Sequence, residues 1–484
     1  MKARNKKSGS RARRTSEYFD EVVGIVSPRR AFERKRFRFG YDALDSSRLR
    51  KKRMGIGGTG DKQLTERNLY RLREICREMG RNNPLVKGLL RTERNGVVGT
   101  GPKIEARTGD ENLNKDIETA WAETMLQKPC DVTGRFNFNK LIRTLYLTYR
   151  RDGDAGVIFT DYGLQAVEGE QIGTPYGRKE GEHFEIVNGI AYSKKTKRVI
   201  GYYIGAPDRW GYIKSANLRM YKAEFVHHIF NPDRTSQSRG EPVLTPSINF
   251  IDTLCDYIDA ELVAAKVNAC FSMFIEQEYP DRPEPYTKGV SDTGYDEDDE
   301  QLEHVQPGII MRGSPGEKAY GIGQTRPGSL FDPFVLRMLT FIGRPLCMPL
   351  MLIGLDFSGV TFMNARIAYS EARDNWTGEQ EDVIKPFASR VYRWWLQNLI
   401  ASKQIKVKTN GNTFRHEVIC KRWPYVDPFK EAKADDQQLK NGTTNRTIIC
   451  ARQGEDFSEV TTRLGEEEEI RSKAGLPKLG EKKI

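Results

Sequence analysis

Asp152 and Asp154 in RRDGDAG are two carboxylates one residue apart, the kind of pair from which a two-metal hydrolytic site is built. Gly153 between them and Gly156 just after them favour a tight turn instead, and a turn is the expectation. A denser acidic group, Asp296, Glu297, Asp298, Asp299 and Glu300, lacks the spaced oxygen ligands and trailing bidentate glutamate of a calcium loop, so it reads as solvated, self-repelling surface. His227 and His228 are adjacent in EFVHHIFNP, and neighbours on a strand point to opposite faces, which argues against a shared metal. The cysteines, Cys76, Cys130, Cys255, Cys270, Cys347, Cys420 and Cys450, are scattered without a C-x-x-C pair and read as reduced, mostly buried thiols.

Nucleotide chemistry is no better supported. GVVGTGPK, residues 96–103, has Pro102 after Gly101 and Ile104 where a magnesium-ligating Ser or Thr should stand. GIGGTG at 55–60 follows no strand and reads as a linker. There is neither a G-x-S-x-G elbow nor an H-E-x-x-H pair. These residues point to a chain without catalysis, with no metal and no cofactor expected.

The elements that position these groups come next. A chain of 484 residues suits two to four structural units, with 38% hydrophobic and 30% charged residues. The longest apolar run, LCMPLMLIGL at 346–355, is broken by Pro349 and falls well short of the roughly 18 residues of a membrane span. The N-terminus is basic without the apolar core of a signal peptide, so nothing in it directs secretion. Residues 1–53 hold 18 Lys or Arg and 6 Asp or Glu, an excess of 12. The rest of the chain is balanced, at 60 of each sign. A neutral body with a basic, flexible arm is therefore expected, the arm being either a solvated tail or an attachment to nucleic acid or an acidic protein face.

Residues 65–101 carry two helical patterns stopped by Gly80 and Gly96, and NKDIETAWAETML and NFNKLIRTLYLTYRRDGDAG add two more. Strand-like GVIFTDY, LQAVEGEQI, EIVNGIAYS, RVIGYYIG and FVHHIFN complete an α+β region that ends in a polar link, NPDRTSQSRGEP. A helix is then predicted over Thr245–Gln277, with Thr245 as N-cap, Pro246 at the first position, and Ile251, Leu254, Ile258 and Leu262 on one face. A second lies in SLFDPFVLRMLTFIGR. Between them, residues 279–328 form an insertion rich in Pro, Gly and acid. GLDFSGVTFMNARIAYSEARDNW at 354–376 begins as a small-residue loop and becomes a helix running from Phe362 to Ser402, roughly 60 Å at 1.5 Å per residue, kinked by Pro386. Strands QIKVKT and FRHEVICKRW follow, then short helices separated by glycine.

This order of elements, with NNPLVKGLLRTERNGVVGTGPKIEA, LQAVEGEQI, VHHIFNPDRTSQSRGEPVLTPSINF, MNARIAYSEARDNW and WPYVDPFKEAKA, resembles the portal proteins of tailed bacteriophages, most closely the lambda-type family, over nearly the whole chain from Asn83 to Leu479. The resemblance implies the α+β portal fold: a basic arm at 1–60, a wing at 61–244, a stem helix at 245–277, a clip at 278–328, a second stem helix at 329–352, a tunnel loop at 353–363, the long kinked helix and wing strands at 364–425, and a crown and tail at 426–484. It further implies a homododecameric ring at a capsid vertex of the virion, assembled in the host cytoplasm. Double-stranded DNA would pass through the channel during packaging and ejection. The implied partners are the terminase large subunit, head-completion or adaptor proteins, and the major capsid and scaffolding proteins, with no membrane. Gly354, Asp356, Phe357, Ser358, Gly359, Val360 and Thr361 would form the channel loop, and Asp296 to Glu300 the docking face of the clip.

Two other classes are weighed against it. A head-tail adaptor or other structural virion protein without a channel would share the lack of catalysis but has no need of a stem, loop and long helix in this order. A packaging ATPase or nuclease would need the phosphate- or metal-binding residues that the motifs above fail to supply.

Overall fold

The computed structural model describes residues 59–175, 181, 183–206, 213–275, 309–312, 328–403, 412–423, 428–453, 455 and 457–475. Two compact units divide the chain, Met1–Gln63 and Leu64–Ile484. Of the first, the described part is a helical turn, Gly60–Gln63.

The second unit opens with α1 (Glu66–Asn82) and α2 (Pro84–Val97). Neither glycine expected to stop these helices does so. Asn83 ends one and begins the other, its side-chain oxygen accepting from the amides of Leu85 and Val86 at 3.0 and 3.2 Å, with Pro84 at the first helical position. After β1 (Lys103–Ala106) come α3 (Glu111–Trp121), which widens into a π turn at Ala122–Leu126, and α4 (Phe138–Asp152). On α4, Phe138, Leu141, Ile142, Leu145, Tyr146 and Tyr149 recur at helical spacing and are buried, which makes it the central helix of the core.

Each of the five expected strand segments forms strand, EIVNGIAYS folding as a hairpin of two, and one further strand, Arg219–Lys222, joins them. β2 (Asp154–Thr160) lies between β3 (Gly163–Glu168) and β8 (Val226–Phe230) in an antiparallel sheet. A four-stranded antiparallel meander holds β4 (Phe184–Val187), β5 (Ile190–Ser193), β6 (Val199–Ile204) and β7 (Arg219–Lys222).

Next, a 3-10 turn at Thr245–Ser247 leads into α5 (Ile248–Cys270). The predicted helix extended to Gln277, but the chain leaves it at Cys270 for β9 (Phe271–Ile275), which pairs in parallel with β10 (Ile309–Arg312). FSMFI is apolar and aromatic enough for either state, and a cross-strand partner decides such a run. Ile251 and Leu254 are buried as expected, whereas Ile258 and Leu262 on the same face are 40% and 51% exposed. α6 (Phe331–Gly343) packs on α5 through Tyr257 against Phe331 and Phe334, with Pro333 harmless in its first turn.

A one-turn helix, α7 (Leu350–Ile353), precedes the loop. The long helix follows as α8 (Phe362–Glu379), a π turn at Gln380–Ile384, and α9 (Lys385–Ala401). The wider turn sits where Pro386 withdraws an amide and crowds the preceding carbonyls, so the helix continues past its proline instead of breaking. β11 (His416–Ile419) pairs with β1, joining the helix's far end to the first strand. The strand expected over QIKVKT lies outside the described residues. α10 (Pro428–Lys440), α11 (Arg446–Gln453) and α12 (Phe457–Lys473) end the chain's described part.

Candidate functional site

The loop between α7 and α8 is the exposed feature that the rest of the core braces. On its entry side Met351, Leu352 and Ile353 are buried, and Cys347 turns the chain into α7 with a φ of 49°. From Gly354 to Asn364 every residue is exposed. The loop nonetheless has internal order. The Asp356 carboxylate accepts from the Ser358 amide at 2.8 Å, and Thr361 caps α8 by accepting from the Asn364 amide at 3.4 Å. The Ser358 hydroxyl and amide hold the Asp356 carboxyl below its ordinary range. Gly359 has a φ of 71°, which suits glycine, while Gly354 is right-handed and Leu355 takes the left-handed turn at 51°.

Its surface is apolar. Leu355, Phe357, Phe362, Met363 and Ile367 are each more than half exposed, and residues 354–365 contain no Lys or Arg and a single acid, Asp356. Such a surface offers bulk and no cation for phosphate, so strong, salt-dependent gripping of nucleic acid is not built into it.

Behind the loop, the buried side of α8 begins at Ala372 and is fixed by Trp376, Glu379 and Gln380. Asn375 donates to the Leu346 carbonyl at 3.3 Å, tying the two flanks of the loop together. Gln380 donates to the carbonyls of Val97 and Lys421 at 2.8 and 3.0 Å, and Trp423 donates through Nε1 to the Gly96 carbonyl at 3.2 Å.

Asp152 and Asp154 flank a turn at Gly153, as expected, but both are fully buried and consumed by arginines. Asp152 meets Arg77 at 2.7 Å and Arg151 at 2.6 Å. Asp154 takes Arg73 at 2.7 Å, His228 at 3.2 Å and the Nε of Arg239. Burial alone would raise the Asp154 carboxyl, but Arg239, Arg73 and His228 hold it far below the ordinary carboxylate range. No group of three or more His, Cys, Asp or Glu among the described residues could hold a metal ion. The histidines diverge as a strand requires: His228 faces Asp154, while His227 packs on the Phe387 ring at 5.4 Å and is pushed down to about 3, mainly by burial.

Arg239 is the residue that sequence reasoning missed. It lies within the segment read as a polar link, yet it is 1% exposed and donates to the carbonyls of Ile172 and Asn188, both at 3.0 Å, and of Gly169. Gly240 beside it abuts the Gly153 carbonyl, and this close approach is why SRG sits there. GVVGTGPK runs from helix to strand, the reverse of a phosphate loop's order. Cys76, Cys130, Cys255, Cys347, Cys420 and Cys450 are free thiols; Cys255 and Cys347 are exposed, which departs from the expectation of burial. Asp296, Glu297, Asp298, Asp299 and Glu300 lie outside the described residues. No described helix is long and apolar enough to cross a membrane.

Comparison with known proteins identifies the family of the chain. Residues 47–380, which include the loop and its flanking helices, match the family described as phage portal protein, lambda family. The chain is 22% identical over 430 residues to the probable portal protein of Halomonas phage phiHAP-1, covering 84% of this chain and 81% of that protein. To portal protein B of Escherichia phage lambda it is 19% identical over 454 residues, covering 82% and 83%. Among solved structures, a chain from the neck of an empty gene transfer agent particle overlaps with a TM-score of 0.40 at 13% identity, covering 79% of this chain and 93% of that one. A chain from the virion of a native gene transfer agent particle overlaps with a TM-score of 0.39 at 13% identity, covering 88% and 97%. The structural overlap is loose, and the sequence match decides the assignment: this chain belongs to the lambda family of phage portal proteins.

Proposed function

We propose that this portal protein forms a closed ring of twelve copies at one capsid vertex, that double-stranded DNA passes through its centre, and that residues 354–361 line the passage. The observation that carries the reading is the family match over residues 47–380, because it spans α5, α6, the loop and α8 as one block. Exposed apolar side chains on the paired helices, among them Phe250, Leu262, Val263, Leu336 and Phe341, supply the faces that neighbouring copies would cover. Heterologous contacts of this kind must close on themselves to surround a ligand. In this reading residues 61–244 form a wing, α5 and α6 a stem, 278–328 a clip and 426–484 a crown. Asp296 to Glu300 would offer the clip's acidic face first to the terminase large subunit and then to a head-completion or adaptor protein, with charge acting mainly on the rate of encounter. Major capsid and scaffolding proteins would hold the ring in the shell. The role is mechanical, and it requires no cofactor.

Negative-stain imaging of the purified full chain tests the reading. Rings with a central hole are the expected result. Particles that stay monomeric at every concentration, even with the cognate scaffold present, would sink it.

A further inference from the structure

Arg150 of α4 stands between two buried carboxylates on two different helices. Its Nη2 meets Glu93 of α2 at 2.6 Å, and its Nη1 donates to Glu379 of α8 at 3.1 Å. All three are buried: Glu93 is fully enclosed, and Arg150 and Glu379 are each 8% exposed. The remaining groups facing the guanidinium are Tyr146 and Tyr149 of its own helix, and the Tyr149 hydroxyl donates to Glu379 at 3.3 Å. One cation thus faces two acids in a low-dielectric site.

The two acids are not equivalent in position. Glu379 is the last residue of α8 before the π turn, and between the loop and Ala372 α8 touches the core only through half-buried Ala365, Ala368 and Tyr369. Glu93 sits on α2, whose buried face belongs to the core. Whichever acid holds Arg150 more firmly therefore sets how strongly the base of the loop-bearing helix is fastened to α4, beside the weaker Tyr149–Glu379 hydrogen bond.

We propose that Arg150 is the positioning residue for the loop, clamping α8 through Glu379, and that a proton on Glu93 sets the strength of the clamp. With Glu93 neutral, the guanidinium charge is committed to Glu379 and α8 is held. With Glu93 ionised, the two carboxylates compete for one cation, and the contact that gives way is the one at the π turn, where the backbone ladder is already irregular. Burial, with the nearby Glu379 charge, raises the Glu93 carboxyl above its ordinary range against the pull of Arg150 and the Tyr146 hydroxyl, which favours a proton there. A group raised in this way favours the clamped form at low pH, and the clamp weakens as pH rises through the folded-state value. The clamp stands independently of the ring; its consequence for DNA rests on the channel reading above.

Hydrogen exchange on the purified full chain, corrected for intrinsic rates between pH of about 5 and 9, tests this without DNA. Amides at 373–384 should exchange faster as pH rises, by about tenfold across the transition. Glu93→Gln should hold them slow at every pH. Glu379→Gln should make them fast at every pH while the amides of β2 and α4 stay protected. A merely structural role would leave no pH dependence for Glu93→Gln to abolish. Wild-type pH dependence surviving in Glu93→Gln, or unchanged exchange in Glu379→Gln, overturns the proposal; should Glu379→Gln fail to fold, the Glu93→Gln profile decides alone.

Discussion

Trp376 of α8 occupies the space that any side chain at position 96 of α2 would need: a Cβ placed on Gly96 would lie 2.6 Å from the indole. A glycine that reads in the sequence as a helix stop is in fact a notch within a helix, cut to receive the root of the loop-bearing helix. Gly96→Ala should destabilise the chain by about 1–3 kcal/mol, because the indole is buried and cannot withdraw. Thermal unfolding measures this, and an unchanged midpoint would mean that the two helices separate at no cost.

Removing Arg239 leaves Asp154 buried with one fewer cation. Arg239→Met should cost about 3–5 kcal/mol in chemical denaturation. The pH dependence has a definite sign. The Asp154 carboxyl is depressed in the folded chain, so its contribution is complete above the unfolded value of about 4 and is lost as pH falls below that toward the folded value. Arg239→Met should therefore flatten the acid limb of the stability profile; a profile parallel to wild type below pH of about 4 would show that Arg73 and His228 suffice.

Replacing Asp356 to Thr361 by a short Gly-Ser link, with the serine placed last to keep a cap at position 361, should leave rings intact, since the cut then spares the buried residues of α7 and the helix beginning at Phe362. Packaged DNA per particle, and its loss once the motor departs, are the quantities to measure. Failure of retention with normal filling is expected. Normal retention would reduce the loop to a connector.

If the proposed acidic docking face exists, neutralising Asp296, Glu297, Asp298, Asp299 and Glu300 to Asn or Gln should slow association with a terminase most at low salt, because charges at a docking face act over roughly a Debye length of 10 Å at 0.1 M. Binding that is equal at all salt concentrations would make the run solvating surface only.

Much of this architecture was legible because its signals are periodic or local. The five strand segments between Gly156 and Phe230, the helix in NFNKLIRTLYLTYRRD and the start of α8 at Phe362 all follow from spacing, whereas the short strand Arg219–Lys222 carries no such signal. What was hidden depends on contacts distant in sequence. Arg239 is separated from Asp154 by 85 residues, and a polar segment gives no local sign that one of its side chains is a core residue. Glu93, Arg150 and Glu379 likewise sit on helices that only the folded chain brings together. The end of α5 is hidden because FSMFI carries no helix stop, and the strand that pairs with it lies inside the acidic insertion.

The double attachment of the loop sets a length. Residues 354–361 leave the core at Ile353 and re-enter a helix at Phe362, so even fully stretched they span at most ~28 Å, and a tip held from both ends stands no more than about 14 Å from its anchors. Duplex DNA advances about 3.4 Å per base pair. In the proposed channel, a loop that touched one point on a moving duplex could accompany it from its backward to its forward limit for at most roughly eight base pairs before its tether went taut, and then it would have to let go. In a ring, successive copies would take up the contact in turn, so the tether length, more than any chemical affinity, would set the longest stride between one release and the next.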